Sequence, residues 1–200
     1  MESDGLINMY EIGANEKALV DEIIGGNKDA FRIFIERYRK LVSHVVFRMI
    51  SNISDREDIC QDVFVRIYLN LNNFRYDSKL STWAAKIAFN TALSHLQKKK
   101  APLYGDLSDD NKPMEEEIIE SNTPESFTEN REISRKVIEE IDKMPVIYGT
   151  ILSLFHLEEM SYREISEIMK LPEGTVKSYL FRARRMLKER LLRKYQREDL

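Results

Sequence analysis

The chain is poor in the residues that build small secreted folds and metal centres. Only one of its 200 residues is cysteine, Cys60. That excludes an internal disulfide and argues against a cysteine-based metal site. The three histidines, His44, His95 and His156, lie far apart and match no ligand or triad spacing. Glycine and proline are scarce, and no glycine-rich phosphate loop is present. No pair of carboxylates stands in a catalytic context, so the residues offer no case for an enzyme. No apolar run is long enough to span a bilayer, and the acidic N-terminus does not read as an export signal. The expectation is a cytoplasmic protein with no metal, no cofactor and no membrane insertion.

What is present is helical periodicity and an uneven distribution of charge. The net charge of −3 says little about partners; where the charges sit says more. Between residues 175 and 197 there are nine Lys or Arg against one acid, Glu189. Between 104 and 130 the sign reverses, with nine Asp or Glu and one Lys, together with Pro113 and Pro124. The acidic stretch buries too little apolar surface to order itself and reads as a linker.

Apolar residues at steps of three and four mark the helices. Phe31, Phe34, Ile35, Tyr38, Leu41, Val42, Val45, Val46 and Met49 define a helix over about 28–50. A second runs over about 55–71 with Ile59, Val63, Phe64, Ile67 and Tyr68 inward. A third starts near Ser81, with Trp83, Ile87, Ala88, Thr91 and His95 along one side. Gly25-Gly26 separates a short helix over about 16–24 from these. Periodicity returns near 128 with Ile133, Val137, Ile138 and Ile141; Pro145 ends that helix, and Ile147, Ile151, Leu152 and Phe155 mark the next. No strand pattern and no internal repeat is evident. The expected architecture is all-α: a tail over 1–15, a helical domain over 16–100, an acidic flexible linker over 101–127 and a second helical domain over 128–195.

Residues 161–187 carry the most functional information. Ser161 with Glu164 has the spacing of a capping box. Ile165, Ile168 and Met169 follow at helical steps. Leu171-Pro172-Glu173-Gly174 is expected to break the helix, since proline removes an amide donor and glycine tolerates a sharp turn. Thr175 is then the expected cap of a second helix. Val176, Leu180, Ala183, Leu187 and Leu191 form its inward stripe. Lys177, Ser178, Phe181, Arg182 and Arg185 remain outside. Two helices around a tight turn, the second cationic on its open face, can place that helix in the major groove. Lys177 and Arg182 have the reach for phosphates or guanine edges, Ser178 for base or backbone, and Phe181 for a thymine methyl. A basic helix face can also be merely solvated, but the local reversal of sign and the bulky outward Phe181 favour DNA.

Two further clusters stand in the first domain. Residues 72–90, NNFRYDSKLSTWAAKIAFN, set aromatics at both ends of a polar loop, then Trp83, Lys86 and Asn90 on a helix. Interleaved cations and rings suit an unstacked single strand; equally, Phe74 and Trp83 can be core anchors. In DREDICQD at 55–62, Asp58, Gln61 and Asp62 share a side away from Ile59 and Val63. They form either a dock for a basic helix or a solvated face whose acids complement the helix dipole.

Three strings in this order, EDICQDVFVRIY at 57–68, FRYDSKLSTWAAKIAFNTALSHL at 74–96 and SYREISEIMKLPEGTVKSYLFRARRML at 161–187, resemble a bacterial RNA polymerase sigma factor of the sigma-70 family, extracytoplasmic-function (ECF) group. The resemblance covers about 20–100 and 128–192. It implies that the first domain is like sigma region 2 and the second like region 4. It implies core RNA polymerase as partner, met at the clamp coiled coil of the largest subunit through Asp58, Gln61 and Asp62, and at the flap of the second-largest subunit. It implies minus-10 recognition by Phe74, Asp77, Ser78, Lys79, Trp83, Lys86 and Asn90, around a base that leaves the stack. It implies minus-35 recognition by Thr175, Lys177, Ser178, Phe181, Arg182 and Arg185. The linker resembles the segment that threads toward the RNA exit channel, and an anti-sigma factor is a plausible partner by the same analogy. Two departures stand out: Tyr179 and Gly149 occupy commonly basic positions, and a different minus-35 preference and the loss of a phosphate contact are the expected consequences. Outside this resemblance, a free-standing helix-turn-helix regulator would need only the basic helix. A sigma-like decoy would bind polymerase without supporting transcription.

Overall fold

A computed structural model describes residues 15–99 and 137–198, with side chains to Lys194. These residues fall into two compact units, one up to His95 and one from Leu96. Among the described residues every regular element is a helix. The tail, the linker and Ile133 of the expected pattern lie outside the described residues.

The first unit begins with α1 (15–24). It ends at Gly25-Gly26, where Gly26 takes a φ of 90°, a conformation open to glycine at no steric cost. The next helix, α2, spans Lys28–Met49, capped by Asn27, whose Oδ1 accepts from the amides of Asp29 and Ala30. Its buried face is Ala30, Phe34, Tyr38, Leu41, Val42, Val45, Val46 and Met49, close to the expected stripe. The Tyr38 hydroxyl donates to Glu16 Oε1 at 2.9 Å and ties α1 to α2. Burial, reinforced by the Glu16 charge, pushes that phenol far above its ordinary range.

Asn52 caps α3, Ile53–Asn70, which packs on α2. Its buried stripe is narrow: Ile59, Val63 and Ile67. Tyr68, expected inward, is 47% exposed and lies edge-on against Phe31 with ring centroids 4.9 Å apart. Cys60 is half-buried, and burial pushes its thiol up, as befits a small apolar residue. A 3-10 turn, Leu71–Asn73, leads through a loop to α4, Leu80–Lys98. The buried residues of α4 are Leu80, Thr82, Ala84, Ala85, Ala88, Phe89, Thr91, Ala92 and Leu96. Ala88 and Thr91 of the expected stripe are buried, but the core face is wider and turned toward Ala84, Ala85 and Ala92. Alanines allow close helix approach, while Trp83 and Ile87 are left half-buried at the rim.

The second unit holds α5 (137–142), α6 (Val146–His156), α7 (Tyr162–Met169) and α8 (Glu173–Glu198). The α6 segment is the most apolar and is buried over Ile147–Leu154; it packs on both α7 and α8. Ile138, expected inward, is 39% exposed, while Glu140 is buried. Glu140 is held by Lys143 at 2.7 Å, Arg190 at 3.3 Å and Lys194 at 3.5 Å. Three cations offset the cost of desolvating one carboxylate and fasten α5 to α8.

Candidate nucleic-acid interface

The helix-turn-helix is α7, turn, α8. Ser161 and Glu164 form the expected capping box: the Ser161 amide donates to Glu164 Oε2 at 2.8 Å and the Glu164 amide donates to Ser161 Oγ at 3.3 Å. The turn itself departs from expectation. Lys170 carries the left-handed backbone, with φ 55°, and the Ser166 hydroxyl donates to the Leu171 carbonyl at 2.6 Å. The break is over by Glu173, where α8 starts. Gly174 is a helical residue in open space. Thr175 is not a cap: its amide donates to the Pro172 carbonyl at 2.9 Å, inside the first turn. Proline without its own N–H is well placed at a helix start, so the helix begins two residues before the threonine.

On α8, Val176, Leu180 and Ala183 are buried, whereas Leu187 and Leu191 are half-buried. Lys177, Ser178, Phe181 and Arg185 are exposed, Phe181 at 44%. Thr175 and Arg182 are half-buried. The Ser178 hydroxyl donates back to the Gly174 carbonyl at 3.0 Å, so it faces a partner as an acceptor. Arg185 lies 3.5 Å from Glu189, both exposed, a pair weak enough to exchange for a phosphate. Lys177 Nζ sits over the Tyr162 ring at 5.5 Å. Tyr179 does not join this face: it is half-buried with its ring edge-on to Tyr148 at 5.7 Å. Gly149 is buried within α6. Both departures thus fall on packing positions. Arg184, beyond the predicted set, donates from Nε to His156 Nε2 at 3.3 Å. Burial, then the Arg184 charge, pushes the His156 imidazole down.

In the first unit the two readings of the aromatic loop divide between its rings. Phe74 is buried, 4.6 Å from Tyr76 and 5.3 Å from Trp83 between centroids; it is a core anchor. Trp83 rests on it half-buried, with a face left to a cleft of about 290 Å³. Tyr76, which sequence reasoning passed over, is 46% exposed with a φ of 60°. Burial, then the Asp21 charge, pushes its phenol up. Asp77 and Lys79 are exposed; Ser78, Lys86 and Asn90 are half-buried. Asn90 lines the cleft with Trp83, and so do Arg66, Asn70 and Asn73. Arg66 and Asn70 were missed because they belong to the end of α3, outside the aromatic string, and Asn73, inside that string, because its side chain is neither ring nor cation.

Asp58, Gln61 and Asp62 are all exposed on α3. Val65 and Leu69, 56% and 68% exposed, continue the same side at helical spacing. The face is acidic at its start and apolar at its end. Among the described residues no cluster of three or more His, Cys, Asp or Glu could hold a metal ion, and no helix is long and apolar enough to cross a membrane.

A helix-turn-helix with a cationic open face, in a chain whose described residues form only helices, defines a DNA-binding transcription protein. The family Sigma-70 region 2 matches residues 34–101, and the family Sigma-70, region 4 matches residues 134–187. The chain is 32% identical to the ECF RNA polymerase sigma factor SigW of Bacillus subtilis, over 88% of this chain and 96% of the relative. It is 34% identical to the ECF RNA polymerase sigma-E factor of Haemophilus influenzae, over 88% and 95%. The chain belongs to the ECF RNA polymerase sigma factors. The fold resembles that of CnrH, solved in complex with the cytosolic domain of CnrY (TM-score 0.60, 18% identity, covering 87% of this chain and 95% of that one). It also resembles the sigma factor RpoE of Bartonella quintana, solved in complex with the anti-sigma factor NepR (TM-score 0.57, 20% identity, 80% and 97%).

Proposed function

We propose that the chain joins core RNA polymerase in the cytoplasm and directs promoter-specific initiation, reading minus-35 duplex with α8 and holding melted minus-10 DNA at α4. The observation that carries this reading is the near full-length identity to ECF sigma factors, with both sigma regions matched in order. The division of labour follows from the side chains. Lys177, Phe181, Arg182 and Arg185 supply reach and charge for a duplex, where cations position and few contacts read bases. Trp83, Lys86 and Asn90, with the loop residues Asp77, Ser78 and Lys79, supply a ring and polar groups for an unstacked base. Asp58, Gln61 and Asp62, extended by Val65 and Leu69, dock on the polymerase clamp, and the second unit meets the flap. The working boundaries are 16–100 for the first domain, 101–127 for the linker and 128–195 for the second.

The chain contributes binding and deformation energy; nucleotide transfer belongs to the polymerase, and the chain is no enzyme in its own right. An anti-sigma factor joins the partners on the strength of the Bartonella quintana complex. Reconstitution with core polymerase, scored by genome-wide transcript mapping, tests the proposal. Initiation at a shared motif is expected. Core binding without initiation would make the chain a decoy, and duplex binding without core affinity would make it a free-standing regulator.

A further inference from the structure

The outward side of α8 runs further than the residues already assigned to it. Lys177, Phe181, Arg184 and Lys188 recur at steps of four, three and four, and all are exposed, so they share one line along the helix. Arg184 is the member of that line held from another helix. Its Nε donates to His156 Nε2 at 3.3 Å, and its guanidinium lies over the Phe155 ring at 5.1 Å. His156 stands edge-on to the same ring at 5.0 Å. Among the described residues Arg184 has no acidic partner. A guanidinium carries five N–H donors, and the bond to His156 uses one.

The imidazole lacks an anion as well. It closes α6, and the carbonyl end of a helix favours a cation. Burial, then the Arg184 charge, holds it below its ordinary value instead. Glu158 and Glu159 follow it in the chain, and α7 contributes Tyr162, stacked on Phe155 at 5.2 Å. None of these three groups offsets the Arg184 charge at the ring. A cation without an acid thus stands beside a base that this cation keeps neutral, and one anion would satisfy both.

We infer that Arg184 and His156 form a phosphate site for one backbone phosphate of the duplex read by α8, and that filling it brings a proton onto His156. The phosphate pairs with the guanidinium and cancels the charge that opposes protonation. Once Nε2 is protonated, the imidazole no longer accepts from Arg184 and donates to the phosphate instead. Proton and phosphate then favour each other's binding by the same factor. Affinity for the duplex therefore rises as pH falls through the bound-state value of His156, and levels off below the lower free-state value. The contact is to the backbone and carries no base preference. The inference rests on the proposed reading of duplex DNA by α8 and adds to it a contact and a proton.

The test uses the full chain and a labelled duplex carrying a minus-35 element taken from the transcript mapping. Anisotropy follows binding from about pH 8 to about pH 5, the range of a histidine. Proton NMR follows the three histidines, with the His156 signal identified by its loss in His156→Gln. Affinity is expected to rise by about fivefold across the range, the lower end of the usual coupling between two sites. Duplex should move the His156 midpoint upward. His156→Gln should flatten the profile, and His44→Gln, an exposed histidine of α2, should keep it. Arg184→Ala should weaken binding to every sequence and lower the salt slope by about one. Duplex binding with an unmoved His156 midpoint, or with one pH profile for the parent and His156→Gln, would overturn the site and leave minus-35 reading by α8 standing. A midpoint moved by inorganic phosphate but not by duplex would make the pair a free-anion site and overturn the DNA assignment. Absence of duplex binding both to the free chain and to the chain assembled with core polymerase would remove the reading by α8 and the inference together.

Discussion

Lys177 Nζ lies 5.5 Å from the centre of the Tyr162 ring, so a cation of α8 rests on an aromatic side chain of α7. Tyr162 in turn stacks on Phe155 at 5.2 Å with the rings 28° apart, and the Arg184 guanidinium covers Phe155 at 5.1 Å. Cation, ring, ring and cation follow one another along the unit, bridging α6, α7 and α8. Such contacts at exposed sites are worth about 0.5–1 kcal/mol each. They also restrict a lysine that would otherwise lose rotamer freedom on binding.

Replacing Tyr162 by leucine is therefore expected to weaken minus-35 duplex binding by about two- to fivefold, the equivalent of one exposed cation–π contact. Tyr162→Phe keeps the ring and should bind as the parent does. Fluorescence anisotropy with a labelled duplex decides. Equal losses in both variants would mean that the hydroxyl, not the ring, matters.

Arg182 is half-buried, so its guanidinium starts from a restricted set of positions. Arg182→Ala should cost about 1–3 kcal/mol on the cognate duplex and relax preference at one base pair. Lys177→Ala should weaken all sequences alike and lower the salt slope by about one. Binding titrations over a salt series, on cognate and scrambled duplexes, separate the two behaviours.

Asp62→Arg reverses a charge on the exposed side of α3 without touching its buried stripe. Affinity for core polymerase should fall, with minus-35 duplex binding by the second unit unchanged. Leu69→Ser should lower core affinity through lost apolar contact. Normal core affinity in both variants would remove this face from the docking surface.

Lys170 holds a left-handed backbone conformation with φ 55°, which costs a residue with a β-carbon roughly 1 kcal/mol. Lys170→Gly should stabilise the second unit by about 0.5–1 kcal/mol. Gly174→Ala should also be tolerated, since a β-carbon there meets nothing within 4 Å and the site is helical. Urea melts measure both. Destabilisation by Lys170→Gly would mean that the lysine side chain stabilises the turn in some other way.

The hydrogen bond from Lys143, with the charges of Lys143, Arg190 and Lys194, holds the Glu140 carboxyl below the usual glutamate range against the opposing effect of burial. A depressed folded value makes the unfolded chain the better proton binder, so stability falls with falling pH. The contribution is complete above the unfolded value, about 4.3, and is lost as pH drops through the folded one. Glu140→Gln should cost about 1–3 kcal/mol at neutral pH, with the difference from the parent shrinking in acid. Denaturation at several pH values follows it; a constant difference would show that Glu140 acts through shape alone.

The α2 stripe was legible because eight buried positions recur along 22 residues of one helix, and period alone decides such a face. The capping box was legible because both partners lie within one turn. Glu140 was not, because its partners Arg190 and Lys194 come from a helix about fifty residues on. The face of α4 was legible only at Ala88 and Thr91, and the rest was missed for a related reason. Small alanines carry little hydropathy signal, yet they are what lets neighbouring helices approach.

By itself the sequence determined that the chain is helical and where its charge changes sign. It also determined which strings mark a sigma factor, since these are local properties of spacing and residue type. The tertiary structure decided which side chains are spent and which are left free. It sent Phe74 into the core and Trp83 to the rim, turned Tyr179 onto Tyr148, and set Arg66, Asn70 and Asn73 beside Asn90. Those outcomes depend on which helices meet at a given place, and contacts between residues distant in the chain leave no periodic trace in it.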